Sequence, residues 1–137
     1  MKTIINLLLL SLFVLLTSCF STAKFPVSDK TPAADITAKK RIDKQKNYTL
    51  EITAKNLASS DRLNPPGSNY SVWILTVDNE IKNVGQLNVQ NAKNTHFKTV
   101  TPFDFNEIFI TVENKGDSEY PIGIEIARTN IRRLRNR

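Results

Sequence analysis

The chain has 137 residues, 40% of them hydrophobic and 23% charged, so it is long enough for one domain with its own apolar core. It contains one cysteine and one histidine. This excludes an intrachain disulfide, and it excludes a blue-copper site, which needs two histidines and a cysteine. The formal net charge of +6 is concentrated in two clusters, Lys39 to Lys46 and Arg128 to Arg137.

The first element is a predicted secretion signal over residues 1–18. Lys2 gives it a basic start, residues 4–16 are almost entirely apolar, and two small residues precede Cys19. This apolar run is shorter than the roughly 20 residues that a membrane-spanning helix needs. The sequence therefore predicts cleavage after residue 18.

The end of this signal resembles the bacterial lipobox, with Leu16, Thr17, Ser18 and Cys19 in its four positions. The resemblance implies palmitate-type acylation of Cys19, which becomes the first of the 119 residues that remain of 137 once 18 are removed. Two or more acyl chains hold a protein firmly to a membrane. Phe20 stands where some inner-membrane lipoproteins carry aspartate, which favours the outer membrane. An ordinary signal peptide that happens to precede a cysteine is the alternative.

The mature chain is predicted to begin with the lipidated cysteine and a flexible tether, residues 19–33, because prolines punctuate a small, polar stretch. The folded domain is predicted over residues 34–128. Its first two strands lie near residues 36–42 and 48–55, where apolar and polar residues alternate.

A long connection over residues 57–69 contains a Pro-Pro-Gly sequence. Residues 70–77 follow and are apolar on both pleat faces, which is typical of a strand covered on both sides. A polar turn at residues 78–80 then predicts that residues 81–87 return as an antiparallel neighbour.

Three further strands are predicted at residues 96–101, 107–113 and 123–128, which makes about seven in all. Turn-forming residues separate them, and no stretch of the domain shows a helical period. The predicted fold class is all-β, with a single immunoglobulin-like antiparallel β-sandwich, and a closed barrel is the alternative. Residues 129–137 are predicted to be a basic C-terminal tail.

Four short motifs between residues 70 and 126 resemble the C-terminal extracytoplasmic domain of anti-sigma-K-type factors. They are Tyr70-Ser71-Val72-Trp73, Val84-Gly85-Gln86-Leu87, Ile108 to Glu113, and Pro121-Ile122-Gly123. The resemblance implies a shared fold and an envelope-sensing or interaction role. Sigma-factor binding is not carried over, because the helical capture segment and membrane helix of that family have no counterpart in this sequence. The chain is also similar to envelope lipoproteins with counterparts of residues 32–36 and 83–87.

The predicted binding surface lies at one end of the sandwich, because strands hold end loops rigidly while the loop sequences vary. Its candidate residues are Asp61, Arg62, Pro65, Pro66, Gly67 and Tyr120. A plain linker between strands is the alternative for this long loop. Trp73 is predicted to be a structural core residue between the two sheets rather than a binding platform.

The C-terminal arginines are candidate contacts for anionic lipid or polysaccharide head groups. They are Arg132, Arg133, Arg135 and Arg137. The alternative is a solvated tail together with a charged strand face. Nucleic acid is not expected as a partner of a lipidated envelope protein.

No catalytic, metal or cofactor site is expected from the sequence. Cys19 is assigned to lipid, and His96 lies on a short polar segment without a nucleophile-elbow motif. The sequence therefore predicts a non-catalytic, lipid-anchored envelope protein that binds a protein or an envelope polymer. An accessory or sensor component in anti-sigma-factor regulation is one alternative, and a hydrolase that uses carboxylates is another.

Overall fold

The computed structural model describes residues 1–5, 19–89 and 94–134, and it is an all-β sandwich. Eight strands form two antiparallel sheets of four strands each. The strands are β1 (Phe20–Lys24), β2 (Asp35–Ile42), β3 (Tyr48–Lys55), β4 (Asn69–Thr76), β5 (Ile81–Leu87), β6 (Asn94–Thr101), β7 (Phe105–Glu113) and β8 (Ile124–Asn130). The predicted fold class is confirmed, and the two separate sheets replace the barrel alternative.

The strand order is β1-β2-β3-β6 in sheet A and β5-β4-β7-β8 in sheet B. The connections from β3 to β4, from β5 to β6 and from β6 to β7 therefore cross from one sheet to the other. This arrangement follows the Greek-key pattern of immunoglobulin-like sandwiches, with β4 and β7 at the centre of one sheet and β3 inside the other.

The period of two in the sequence explains which side chains face the interior. In β3, Leu50, Ile52 and Ala54 are buried while the residues between them are partly exposed. Between the sheets they meet Val72 and Ile74 of β4 and the inward residues of β7 in one apolar cluster. Burial of this cluster is the main favourable term that holds the two sheets together.

A buried ion pair lies near one end of this interior. Lys40 follows the inward phase of β2, so its side chain is fully buried, and its ammonium donates to Asp104 Oδ1 at 2.6 Å and to the carbonyl of Phe105. Desolvation lowers the pKa of Lys40, and the hydrogen bond and charge of Asp104 oppose that shift. Lys40 therefore adds no surface charge to the basic cluster at residues 39–46.

The tether predicted for residues 19–33 is wrong for its first part. Phe20–Lys24 pairs with β2 over five residue pairs as strand β1, and Phe25 is buried against the core. The physical reason is that β2 would otherwise be an open edge, whose backbone groups find partners in the next available extended segment. The domain consequently begins one residue after Cys19, not at residue 34.

The predicted tail at residues 129–137 also starts too early. Strand β8 extends to Asn130, and Ile131 and Leu134 are buried beyond it. Ile131 donates its backbone N–H to the carbonyl of Asn106, so the segment continues alongside β7. Two apolar side chains among the arginines explain this packing, because they gain from burial while the arginines stay in water.

Candidate functional site

Trp73 is fully buried, but on the outer face of sheet B. Its neighbours in β4, Val72 and Ile74, belong to the cluster between the sheets, whereas Trp73 points the other way and stacks on Phe109 at 6.1 Å between ring centroids. Placing Trp73 between the sheets is therefore incorrect. A strand that is apolar on both faces needs cover on both sides, and here the second cover is a loop.

Hydrogen bonds connect Trp73 to that loop, which links β7 to β8. The indole N–H donates to Thr111 Oγ1 at 2.8 Å, and the Thr111 hydroxyl donates to Glu113 Oε1 at 2.6 Å. The Glu113 carboxylate, only 3% exposed, also accepts the backbone N–H groups of Ile122 at 3.1 Å and Gly123 at 2.9 Å. One buried carboxylate thus fixes the end of the loop with charge-assisted bonds.

The other end of this loop is fixed by β5. Asn83 lies opposite Trp73 in the β4–β5 pair, and its side-chain N–H₂ donates to the carbonyls of Gly116 and Ser118, both at 3.0 Å. The loop over residues 114–123 is therefore held at both ends across the outer face of sheet B. We call it the β7–β8 loop.

A groove of about 450 Å³ lies between this loop and the edge of sheet B. Its apolar rim exposes Tyr120 at 70%, Phe103 at 43% and Ile81 at 37%. Lys82 lies against Phe103, with its ammonium 5.0 Å from the ring centroid, and it pairs with Glu80 at 2.9 Å. We call this feature the aromatic groove. Its volume is within the range of small-molecule and peptide pockets.

The acidic side chains of the loop give the aromatic groove its charge. Asp117 and Glu119 line it on the loop side, and Lys82 is the basic residue among its lining residues. Aromatic rings, apolar side chains and carboxylates on one rigidly held rim can bind a segment that offers apolar groups and positive charge.

The long connection between β3 and β4 forms a different site from the aromatic groove. Asp61 and Arg62 lie exposed on a short 3₁₀ turn, Ser60–Arg62, and Pro65 and Pro66 are also exposed. Gly67 packs directly against Val112, where a Cβ atom would collide with the valine side chain. The peptide bond between Asn64 and Pro65 is cis.

This connection is fixed by Tyr70, whose hydroxyl donates to the carbonyl of Ala58 at 2.6 Å. Arg62 and Pro65 line a second cavity, of about 280 Å³, together with Val112 and Ile124. Tyr120 does not line that cavity. The single predicted surface is thus two separate sites, because the β7–β8 loop folds toward β5 instead of standing beside the β3–β4 connection.

Only some of the predicted anchor and tail residues lie in the part of the chain that the structure describes. Cys19 is exposed and directly precedes β1, whereas Leu16, Thr17 and Ser18 lie outside the described residues. Arg132 and Arg133 are exposed, and Arg133 Nε donates to Asp104 Oδ2 at 3.1 Å. Arg135 and Arg137 lie outside the described residues. Over the described ranges, no helix has the length and apolar character to cross a membrane.

His96 and two of the carboxylates that could serve a hydrolase, Asp104 and Glu107, have separate hydrogen-bond or ion-pair partners. His96 is exposed on β6, with its ring Nδ1 3.4 Å from the Thr53 hydroxyl. Glu107 forms an ion pair with Arg128 on the outer face of sheet B, while Asp104 is paired with Lys40 at the end of the sandwich. Within residues 1–5, 19–89 and 94–134, no three His, Cys, Asp or Glu residues form a possible metal site.

Three residues of the candidate site are missing from the sequence prediction: Phe103, Asn83 and Glu113. An aromatic residue in the Thr-Pro-Phe-Asp turn is a signal that points to Phe103, since exposed aromatic side chains are candidate contacts. No local signal identifies Asn83 or Glu113. The loop partners of Asn83 lie 33 and 35 residues further along the chain, and those of Glu113 lie 9 and 10 residues further along.

Fold and site together define a β-sandwich with an exposed cysteine at the first strand and an aromatic groove beneath a fixed loop. Comparison with protein-family models, curated proteins and solved structures finds no match for this chain.

Proposed function

We propose that this protein is a non-catalytic, lipid-anchored binding module of the bacterial cell envelope that holds a segment of an envelope protein in its aromatic groove. The anchor is Cys19, acylated after removal of residues 1–18, and the outer membrane is the proposed location. The exposed position of Cys19 at the start of β1 supports this assignment, because an acylating enzyme needs access to the sulfur.

The observation that carries the binding role is the combination of exposure and rigidity in the β7–β8 loop. Tyr120 and Ile122 are 70% and 85% exposed, yet the loop that holds them is hydrogen-bonded to Glu113 and Asn83. Exposed apolar side chains on a preorganised loop lose little conformational entropy when they contact a partner. Such side chains are typical of interaction sites.

The chemistry of the groove favours a short basic and apolar segment. Asp117 and Glu119 attract positive charge, and the rings of Tyr120 and Phe103 can stack on apolar groups or on a guanidinium. A groove of about 450 Å³ accommodates a few side chains, so we expect a peptide segment and not a large flat interface. An envelope polysaccharide would contact the same rings.

Site-specific photocrosslinking in intact cells tests this proposal. A photoreactive amino acid replaces Tyr120 in one strain, and Val27, which is 74% exposed outside the groove, in a control strain. We expect a discrete protein adduct from position 120 that is absent from position 27. Adding Phe103→Ala to the first strain should reduce the adduct at least about tenfold, as expected for loss of a contact residue.

Two results would contradict the proposal. Equal adducts at positions 120 and 27 would show nonspecific proximity, and an adduct insensitive to Phe103→Ala would place the contact outside the groove. A carbohydrate adduct in place of a protein adduct would assign the groove to an envelope polymer.

A further inference from the structure

The two outer faces of the sandwich carry opposite charge. The outer face of sheet A presents five basic and two acidic side chains, namely Lys24, Lys39, Arg41, Lys55, Lys98, Asp35 and Glu51. The outer face of sheet B with the β7–β8 loop presents four acidic and two basic side chains, namely Glu107, Asp117, Glu119, Glu125, Lys115 and Arg128, above the buried carboxylate of Glu113. We call the first surface the basic face.

The ion pairs on the basic face leave its positive excess in place. Glu51 lies 3.9 Å from Arg41 and 3.8 Å from Lys98, and Asp35 lies 3.5 Å from Lys24. Two carboxylates divided among five cations leave three formal positive charges on a flat four-stranded surface. The adjoining β2–β3 turn adds the exposed Lys44 and Lys46 against Asp43.

Apolar side chains stand at the edge of the basic face next to Cys19. One row across sheet A runs from Phe20 through Arg41 and Thr49 to Val100. Phe20 is 53% exposed and Val100 is 60% exposed, so both outer strands of this row present apolar side chains to the surroundings. Lys39 lies over the Phe20 ring, with its ammonium 4.6 Å from the ring centroid.

The start of β1 at Phe20 ties this row closely to the anchor. One residue spans at most about 3.6 Å, so Cys19 places an acyl group within about one residue of the sheet edge. A tether of residues 19–33 would have let the domain turn freely, whereas the observed pairing from Phe20 to Lys24 restricts it.

We propose that the basic face is a docking surface for an anionic lipid bilayer, which holds the sandwich flat on the membrane beside its acyl anchor. This inference rests on the anchor at Cys19 in the proposed function. Phe20 and Val100 enter the interfacial region, and the lysines and Arg41 lie against the anionic head groups. The aromatic groove, which is lined mainly by β5 and the β7–β8 loop on the side of the opposite sheet, is then open to its partner.

Lysine footprinting of the lipoprotein purified from membranes tests this orientation. The protein is reconstituted into vesicles of phosphatidylcholine alone, or with about 30 mol% phosphatidylglycerol, and lysines are acetylated briefly before mass spectrometry. We expect Lys39, Lys55 and Lys98 to react about fivefold more slowly on the anionic vesicles, because the head groups cover them. Lys30 and Lys115, which are exposed outside the basic face, should react at equal rates on both.

Salt and charge reversal provide two further controls. About 0.5 M NaCl should abolish the protection, because it screens surface charges. The double variant Lys39→Glu with Lys98→Glu should lose the protection of Lys55, and the matched variant Lys30→Glu with Lys115→Glu should retain it.

Equal protection of all lysines, or of none, on anionic vesicles would overturn the docking surface. The intact mass of the same sample reports acylation of Cys19 separately. An acylated chain with unprotected lysines removes the docking surface and keeps the anchor, and an unacylated chain with face-specific protection removes the anchor and keeps the docking surface.

Discussion

Replacement of Glu113 by glutamine is expected to destabilise the protein and to loosen the β7–β8 loop. The carboxylate accepts three hydrogen bonds, from the Thr111 hydroxyl and from the N–H groups of Ile122 and Gly123. An amide has one oxygen and one N–H₂ group. Whichever way it is oriented, a donor faces a backbone N–H in a buried site.

The magnitude follows from these contacts. A hydrogen bond to a charged group contributes about 1.5 to 3 kcal/mol, and a buried N–H left without an acceptor has a comparable cost. We therefore expect Glu113→Gln to lower the free energy of unfolding by about 2 to 4 kcal/mol. That is a large part of the roughly 5 to 15 kcal/mol available to a domain.

Trp73 provides the assay, because it is the only tryptophan of the chain and lies beneath the loop. Urea unfolding is followed by Trp73 fluorescence and by circular dichroism, and acrylamide quenching is measured on the native protein. In the variant, quenching should increase because the loop no longer excludes solvent from the indole. The fluorescence transition should also move to lower urea concentration.

Glu125→Gln is the matched control, because Glu125 lies on the same outer face and pairs with Arg128, but its side chain is 42% exposed. Exposed ion pairs contribute about 0.2 to 1 kcal/mol, so this variant should be close to wild type. If Glu113→Gln also unfolded within about 0.5 kcal/mol of wild type, with unchanged quenching, the anchoring role of Glu113 would be refuted.

Three further predictions concern alkaline pH, the buried ion pair and the anchor. Burial raises the pKa of Tyr70 to about 12, so the stability it contributes is complete below pH 10 and is lost as the pH rises through 12. Tyr70→Phe should remove this pH dependence, which amounts to about 2 to 3 kcal/mol in the free energy of unfolding. If the free energy from urea unfolding fell equally steeply with pH above 10 in wild type and variant, the prediction would be contradicted. Asp104→Asn should lower the melting temperature more than Lys40→Met, because it leaves a buried ammonium without its carboxylate at a cost of about 3 kcal/mol or more. If Lys40→Met lowered the melting temperature more, the stabilising role of the Lys40–Asp104 ion pair would be contradicted. Cys19→Ser should move the protein from the membrane fraction to the soluble fraction and remove the acyl mass, and continued membrane attachment would argue against lipidation.

Strand positions could be predicted from the sequence because they depend on a local pattern. The alternation over residues 48–55 reappears as strand β3, and the two-sided apolar run of residues 70–77 reappears as β4, covered on both faces. Strand β1 was missed, since Phe20–Lys24 is short and lies in a polar stretch with proline after it. What makes it a strand is the open edge of β2, which no property of residues 20–24 reveals.

The candidate site is harder to predict from the sequence, because it too depends on contacts between residues that are not neighbours in the chain. The sequence indicates that Tyr120 lies in a turn-rich segment, but not that this segment folds across Trp73 toward β5. That path depends on Glu113 and Asn83, whose hydrogen bonds join residues remote in sequence or separated by a turn. Of the predicted binding residues, Arg62 and Pro65 therefore line one cavity and Tyr120 lines the other, while Asp61, Pro66 and Gly67 line neither.

The sequence by itself determines the all-β class, most strand positions and the alternation of buried and exposed side chains, because each follows from a period of two within a few residues. Tertiary structure alone decides which side of a two-sided strand meets the other sheet, and which surface charges share a face. Those outcomes arise when strands distant in the chain pair in register. The registers of β1, β2, β3 and β6 gather five basic side chains onto one flat surface beside Cys19, a surface that the linear order of the residues does not contain.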